Sequence, residues 1–256
     1  MKKTTIPEKD LPKYSRRTWL AMIQLVLFSG LGYAGWRWLK KQPPDGGLLG
    51  GIPGPLRKGL EANENLFTRY YDHHRLVKEY PQSKAAADVR VNGNIGLDAS
   101  FATESSWSLT VQKANGEIQD IRLAEIKRLP KTEVIFNFKC IEGWSQISWW
   151  GGVRLSDFLH AFALDQESAF KYIGLSTPDT KYSVGVDMLS AMHPQTILAY
   201  EMNRQPLIQE HGAPLRLIIP VKYGYKSLKQ IGSIYFDNEK PADYWAIRGY
   251  DYYAGL

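Results

Sequence analysis

The chain has 256 residues, 44% of them hydrophobic and 12% aromatic, enough to bury a sizeable core and too many for a disordered or fibrous protein. Its formal charge is +6, but residues 1–41 carry nine Lys and Arg against Glu8 and Asp10, so the remainder is close to neutral and offers no electrostatic footprint for nucleic acid. The single cysteine, Cys140, excludes an intramolecular disulfide, a four-cysteine zinc site and an all-cysteine iron–sulfur cluster, and there is no CxxCH for covalent haem.

The first element in chain order is an apolar run. No charge occurs from Thr18 to Trp36, and a helix from Trp19 to Trp38 would span about 30 Å, enough to cross a bilayer. Trp19 at one end and Trp36 with Trp38 at the other suit the two interfaces. Six basic residues before the span against three at its far end put the N-terminus in the cytoplasm. Ser15-Arg16-Arg17-Thr18-Trp19-Leu20 resembles the twin-arginine signal, which exports folded proteins, with Trp where Phe is usual. An ordinary positively flanked anchor is the plainer reading, and Gly32-Tyr33-Ala34 would tolerate cleavage. The terminal tryptophans favour an uncleaved anchor. The expected layout is therefore a basic tail over 1–17, a transmembrane helix over 18–39, a linker over 40–60 and a domain over 61–256, held on the periplasmic side of a bacterial inner membrane.

Residues 41–59 hold six Gly and four Pro and read as an extended linker. Strands are expected at Ser106–Val111, Lys131–Lys139, Lys171–Leu175, Thr196–Met202 and Leu215–Pro220. An amphipathic helix is expected at Leu155–Phe162, with Leu155, Phe158, Leu159 and Phe162 on one face. Ile197–Leu207, turning at Asn203-Arg204, reads as a hairpin, which argues for antiparallel or mixed sheets and an α+β fold.

In the strand ending at Cys140, period-two alternation puts Val134, Phe136, Phe138 and Cys140 on one face, opposite Asn137 and Lys139. The thiol therefore points to the core where the strand opens into Ile141-Glu142-Gly143. Free cysteine is commonly an inert core residue; it can also ligate zinc, act as a nucleophile beside a histidine, or bind a redox metal carried in an organic cofactor. For zinc the histidines are poorly spaced, with His73 and His74 adjacent and His160, His193 and His211 scattered.

The stretch Cys140-Ile141-Glu142-Gly143-Trp144, continuing through Trp149-Trp150-Gly151-Gly152 to Leu155, resembles the metal-ligating segment of the sulfite-oxidase superfamily of molybdopterin oxidoreductases. It is most similar to the branch that contains the periplasmic methionine-sulfoxide reductases. His211-Gly212-Ala213-Pro214-Leu215-Arg216 to Pro220, followed by Tyr223 to Lys229, resembles that family's pterin-binding segment, and Ala191 to Thr196 matches as well. The likeness runs from about Leu66 to Asp237. It implies a sulfite-oxidase-type molybdopterin-binding domain with mixed sheets, and a Cys140 thiolate on molybdenum. By position it also implies that His211, Arg216, Ser227 and Lys229 hold the pterin and its phosphate, with Thr177 a further contact. The physical chemistry agrees, since Arg grips phosphate bidentately and Lys supplies a point charge. Taken alone, Lys226 and Lys229 would read as a solvated loop. Arg216, between Leu215 and Leu217, needs an anionic partner if it turns inward. Phe67 to His73 loosely resembles the family's Arg-Asn-His cofactor segment, which makes Arg69 and His73 candidate contacts or else exposed polar residues.

The resemblance implies oxygen-atom transfer with electrons exchanged through a partner, since this chain carries no haem or iron–sulfur motif; a membrane haem protein beside the anchor is expected. Glu142, Gly143 and Trp144 stand where sulfite oxidases carry arginines, which favours reduction of a neutral S-oxide or N-oxide over sulfite oxidation. Trp144, Trp149 and Trp150 could wall the pocket, or simply pack. Sulfite oxidation, and a cofactor-free binding or assembly module, are the alternatives. The chain stops at Leu256 without the C-terminal dimerisation domain of longer sulfite oxidases, and a monomeric catalytic unit is expected.

Overall fold

The computed structural model describes residues 14–45, 51–98 and 106–256; most of the expected basic tail, at 1–13, and part of the expected linker, at 46–50, lie outside the described residues. Helix α1 covers Arg16–Lys40, with the Ser15 hydroxyl capping it by accepting the Thr18 N–H. Its 25 residues are apolar enough to cross a membrane, and none is buried against the rest of the chain. Arg16 and Arg17 are its first two residues.

Helix α2 covers Gly54–Arg69, so the last part of the Gly/Pro stretch is helical where an extended linker was expected. The reason is positional. Pro55 lies in the first turn, where backbone N–H groups have no intrahelical acceptor and proline costs nothing. Polar anchors dock α2: buried Arg57 donates to the Ala246 carbonyl, and buried Glu64 pairs with Lys240 at 2.5 Å.

The domain holds two sheets. The first is mixed, ordered β2-β1-β10-β5-β6, from β1 (Ser108–Gln112), β2 (Ile118–Arg122), β5 (Tyr172–Ser176), β6 (Ser183–Asp187) and β10 (Ser233–Asp237), with β1 parallel to β10 and the other neighbours antiparallel. The second is antiparallel, ordered β3-β4-β7-β8, from β3 (Thr132–Lys139), β4 (Ser145–Arg154), β7 (Ile197–Met202) and β8 (Gln205–Pro206), with β9 (Arg216–Ile218) also on β7. Short helices α3 (Leu123–Ile126), α4 (Leu155–Ala161) and α5 (Met188–Ala191) connect them. The expected hairpin forms as β7–β8, with Asn203 and Arg204 at φ 53° and 60°, the left-handed pair that a tight two-residue turn requires. Strands β2, β4, β6 and β10 were not anticipated.

One core cluster joins Leu109, Val111, Ile121, Ile173, Leu175 and Ile234 of the mixed sheet to Phe158 and Leu159 of α4 and Leu198 and Leu217 of the other sheet. A second cluster, Val134, Phe136, Phe138, Trp150, Ile197 and Ile218, backs the strand that leads to Cys140. The Ala191–Thr196 motif is a clamp. The Gln195 amide donates to Val77 O and Glu79 Oε1 and accepts the Val77 N–H, and Glu79 bridges to Phe136 on β3.

Candidate active site

Strand β3 pairs with β4 in register from Thr132–Gly152 to Lys139–Ser145, and the ladder then closes with Cys140 N–H to Trp144 O at 2.9 Å. The three residues between form a tight turn. The Gly143 N–H returns to the Cys140 carbonyl, and Gly143 sits at φ 88°, a conformation that favours glycine in this turn. Cys140 is thus fixed at the tip of a hairpin, 6% exposed and on the same face as Phe138, as alternation implied. The Asn92 side-chain amide donates to its sulfur at 3.8 Å.

Residues 211–229 meet this tip. A Cβ on Gly224 would lie 2.4 Å from the Phe138 ring, so only glycine lets this segment approach β3 so closely. Between them is a cavity of about 130 Å³, bordered by Cys140, Asn92, Arg216, Ser227, Lys229 and Tyr182, with Trp245 and Tyr250 at its side.

Arg216 turns inward and is 3% exposed. It donates to the backbone carbonyls of His211 at 2.9 Å and Ser227 at 3.1 Å, lies 4.6 Å over the Trp150 ring, and has no hydrogen bond at Nε. Among the described residues no carboxylate pairs with it. Desolvation alone pushes its pKa down to about 9. Half-buried Lys229 is held by three carbonyls, those of Asn92, Gly93 and Glu210, and forms no ion pair among the described residues; burial, then Arg216, lowers it to about 7 against a smaller opposing pull from Glu210. Buried His211 lies edge-on to Trp150 and is lowered to about 4, first by burial and then by Arg216 and Lys229, so it is neutral at physiological pH. Ser227 is buried, its hydroxyl accepting the Ile219 N–H. One buried and one half-buried cation, neither in an ion pair among the described residues, beside a buried thiol suit an anionic sulfur- and phosphate-bearing cofactor.

The other expected contacts fall elsewhere. Arg69 ends α2 and is exposed, and exposed His73 borders a different cleft. Neither borders the Cys140 cavity. Thr177 is 1% exposed, but its hydroxyl is engaged by Asp179 at 2.6 Å and by Tyr182 N–H, and it lies outside the cavity wall. Lys226 is no solvated loop residue either. It is 1% exposed and paired with Asp243 at 2.5 Å.

The sequence reading missed the segment 89–93, which brings Arg90 over the Trp144 ring at 4.7 Å and Asn92 to the thiol. It lies in irregular backbone, with no periodicity to mark it. Trp144 donates to Glu142 at 2.9 Å and packs on Phe138, so the tryptophan after the turn both stacks and orients the acidic side chain. Among the described residues no group of three or more His, Cys, Asp and Glu ligands includes Cys140.

The sequence profile of the oxidoreductase molybdopterin-binding domain matches residues 97–245. The chain is 36% identical over 246 residues to the protein-methionine-sulfoxide reductase catalytic subunit MsrP of Xanthomonas campestris pv. campestris, covering 88% of this chain and 71% of that one. It is 31% identical to the subunit of the same name from Campylobacter jejuni, covering 76% and 67% respectively. Among solved structures, the sulfane dehydrogenase SoxCD of Paracoccus pantotrophus aligns with a TM-score of 0.49 at 18% identity, covering 56% of this chain and 41% of that one.

Proposed function

This chain belongs to the molybdopterin-binding oxidoreductases, and we propose that it reduces methionine sulfoxide with Cys140 as the protein ligand to molybdenum. It is a molybdenum-dependent oxidoreductase, so the reading as a cofactor-free module gives way. The observation that carries the proposal is the placing of the Cys140 thiol on the same cavity as buried Arg216 and half-buried Lys229, two cations that form no ion pair among the described residues.

When bound, the cofactor supplies two-electron oxygen-atom transfer. The chain supplies the cradle. Arg216, with its Nε unpartnered, and Lys229 would neutralise the cofactor's anionic groups and Ser227 would add a hydroxyl, while neutral His211 lines an adjoining cavity with Arg216, Asn92 and Trp150 and does not border the Cys140 cavity itself. Asn92 donates to the Cys140 sulfur from the wall of the same cavity. The exposed side of the cavity is apolar at Ile141 and Tyr250 and acidic at Glu142, a mouth suited to a neutral thioether S-oxide and not to the sulfite anion.

Reduction of a sulfoxide to a thioether consumes two electrons and two protons and releases water. With one cysteine and no haem-attachment motif in the chain, the electrons come from a partner, and a membrane haem protein beside α1 fits that role. Helix α1 anchors the chain in a bacterial inner membrane, and the twin-arginine-like Arg16-Arg17 delivers the domain, already folded around its cofactor, to the periplasmic side.

The test is to reduce the full chain with dithionite and mix it with a peptide methionine sulfoxide or, separately, to mix the oxidised protein with sulfite. Reoxidation by the sulfoxide is expected, together with loss of one molybdenum–sulfur bond in X-ray absorption of Cys140→Ser. Reduction by sulfite at a comparable rate, or unchanged sulfur ligation in the variant, would overturn the assignment.

A further inference from the structure

The turn after α2 carries three metal-competent side chains that the Cys140 cavity does not use. Asp72, His73 and His74 are exposed, and one donor atom from each lies within 4.8 Å of the others. The backbone fixes this grouping. Arg75 N–H donates to Asp72 O at 3.0 Å and His74 N–H to Asp72 Oδ1 at 2.9 Å, which folds the four residues into a turn. Both imidazoles rise from it with ring centroids 3.9 Å apart. Among the described residues neither imidazole has a hydrogen-bond partner, so their nitrogens have no competing protein ligand.

The turn lies between two large depressions. His73 borders one of about 570 Å³ shared by α2, Phe170, Tyr172 and Asp187, while Asp72 and Arg75 border another that includes Phe67 and Tyr253. An ion at this position would have water-filled space beside it. Two imidazole nitrogens and one carboxylate oxygen form a borderline donor set that suits zinc and its first-row neighbours, with a coordination position left for water. Tetrahedral zinc, at about 2.0–2.1 Å from each ligand, needs its ligands roughly 3.3 Å apart. The donor atoms lie within 4.8 Å of one another on exposed side chains, so side-chain rotation is the movement that would close the remaining gap.

We propose that Asp72, His73 and His74 form a second metal site, for a divalent ion of the zinc class, separate from the Cys140 cavity. Such an ion would lock the turn that joins α2 to the segment held by the Gln195 clamp.

Isothermal titration of zinc chloride into the full-length, molybdenum-loaded protein, without a polyhistidine tag, tests this. One saturable site is expected. The double variant His73→Ala/His74→Ala should bind at least about 100-fold more weakly. Asp72→Asn keeps the acceptor for the His74 N–H and should weaken binding roughly tenfold. Cys140→Ser should bind zinc as the parent does. Circular dichroism and molybdenum content matching the parent establish that the turn variants are folded. Saturable binding that survives the double histidine variant, or parent binding no tighter than that variant's, overturns the proposal.

Discussion

The guanidinium of Arg216 lies 4.6 Å from the centre of the Trp150 ring, with two backbone carbonyls for partners and an unpaired Nε. A buried cation left in this state destabilises the empty fold, and replacing such a group by an apolar residue of similar volume is often neutral or stabilising. Arg216→Met should therefore melt no lower than the parent when both are prepared without cofactor. The same variant should retain less than about a tenth of the parent's molybdenum, because the anion it binds has lost its partner. Thermal unfolding and metal analysis on the same samples separate the two effects. A large loss of stability in the cofactor-free variant would mean that Arg216 is a structural residue.

That arginine was legible in the sequence because its question was physical: a strand arginine between two leucines either faces solvent or needs an anion. Cys140 was legible for a similar reason, since parity along an eight-residue strand fixes the side on which the next residue falls. Strand β4 was hidden because Trp149-Trp150-Gly151-Gly152 is buried toward its end on both faces, leaving no alternation to read. Asn92 was hidden because irregular backbone carries no period at all. Helix α2 was masked by its own composition. Its anchors are a buried arginine and a buried glutamate, while Leu66 and Phe67 face outward, the reverse of the pattern that betrays a helix.

Lys229 gives a pH signature. The folded chain releases its proton near pH 7, whereas an unfolded lysine holds it to about 10.5, so unfolding between those values takes up a proton and stability rises with pH. Cofactor-free protein should thus be more stable at about pH 9 than near neutrality. Binding of the cofactor's phosphate favours the charged lysine and should flatten that slope. Lys222, lowered to about 8 by burial, contributes in the same direction but lies outside the cavity and cancels when the two forms are compared. Denaturant midpoints measured against pH for both forms, and for Lys229→Met, decide the matter. Equal slopes with and without cofactor would remove Lys229 from the phosphate site.

Lys226 and Asp243 form a pair with both side chains 1% exposed, and Lys226 also donates to the Gly185 carbonyl at 2.8 Å. Removing one partner strands the other in a dry interior. Asp243→Ala should cost about 3–5 kcal/mol in urea unfolding, and Lys226→Met combined with it should recover a large part of that. Asp243 also accepts the backbone N–H groups of Gly185, Trp245 and Ala246, so recovery will be incomplete. Equal costs for the single and double variants would assign the whole effect to those backbone bonds.

Gly224 tests whether the two halves of the site must meet as closely as they do. Its absent side chain leaves room for the Phe138 ring, two residues before Cys140, and a methyl group there would sit 2.4 Å from a ring carbon. The ring belongs to a packed cluster with Trp150 and Phe136 and cannot retreat without disturbing it. Gly224→Ala must therefore push the 223–229 segment away from β3, at about 1–3 kcal/mol for the overpacking. The same displacement widens the gap between Cys140 and Ser227, so molybdenum content should fall together with the melting temperature. Gly116→Ala is the control, since Gly116, unlike Gly224, holds a positive φ, of 87°, and a Cβ there meets open space. That variant should lose stability to backbone strain alone and keep its metal. If Gly224→Ala loads molybdenum as fully as Gly116→Ala does, close approach of the two segments is a packing requirement only, and the cavity tolerates a looser fit around the cofactor than its contacts suggest.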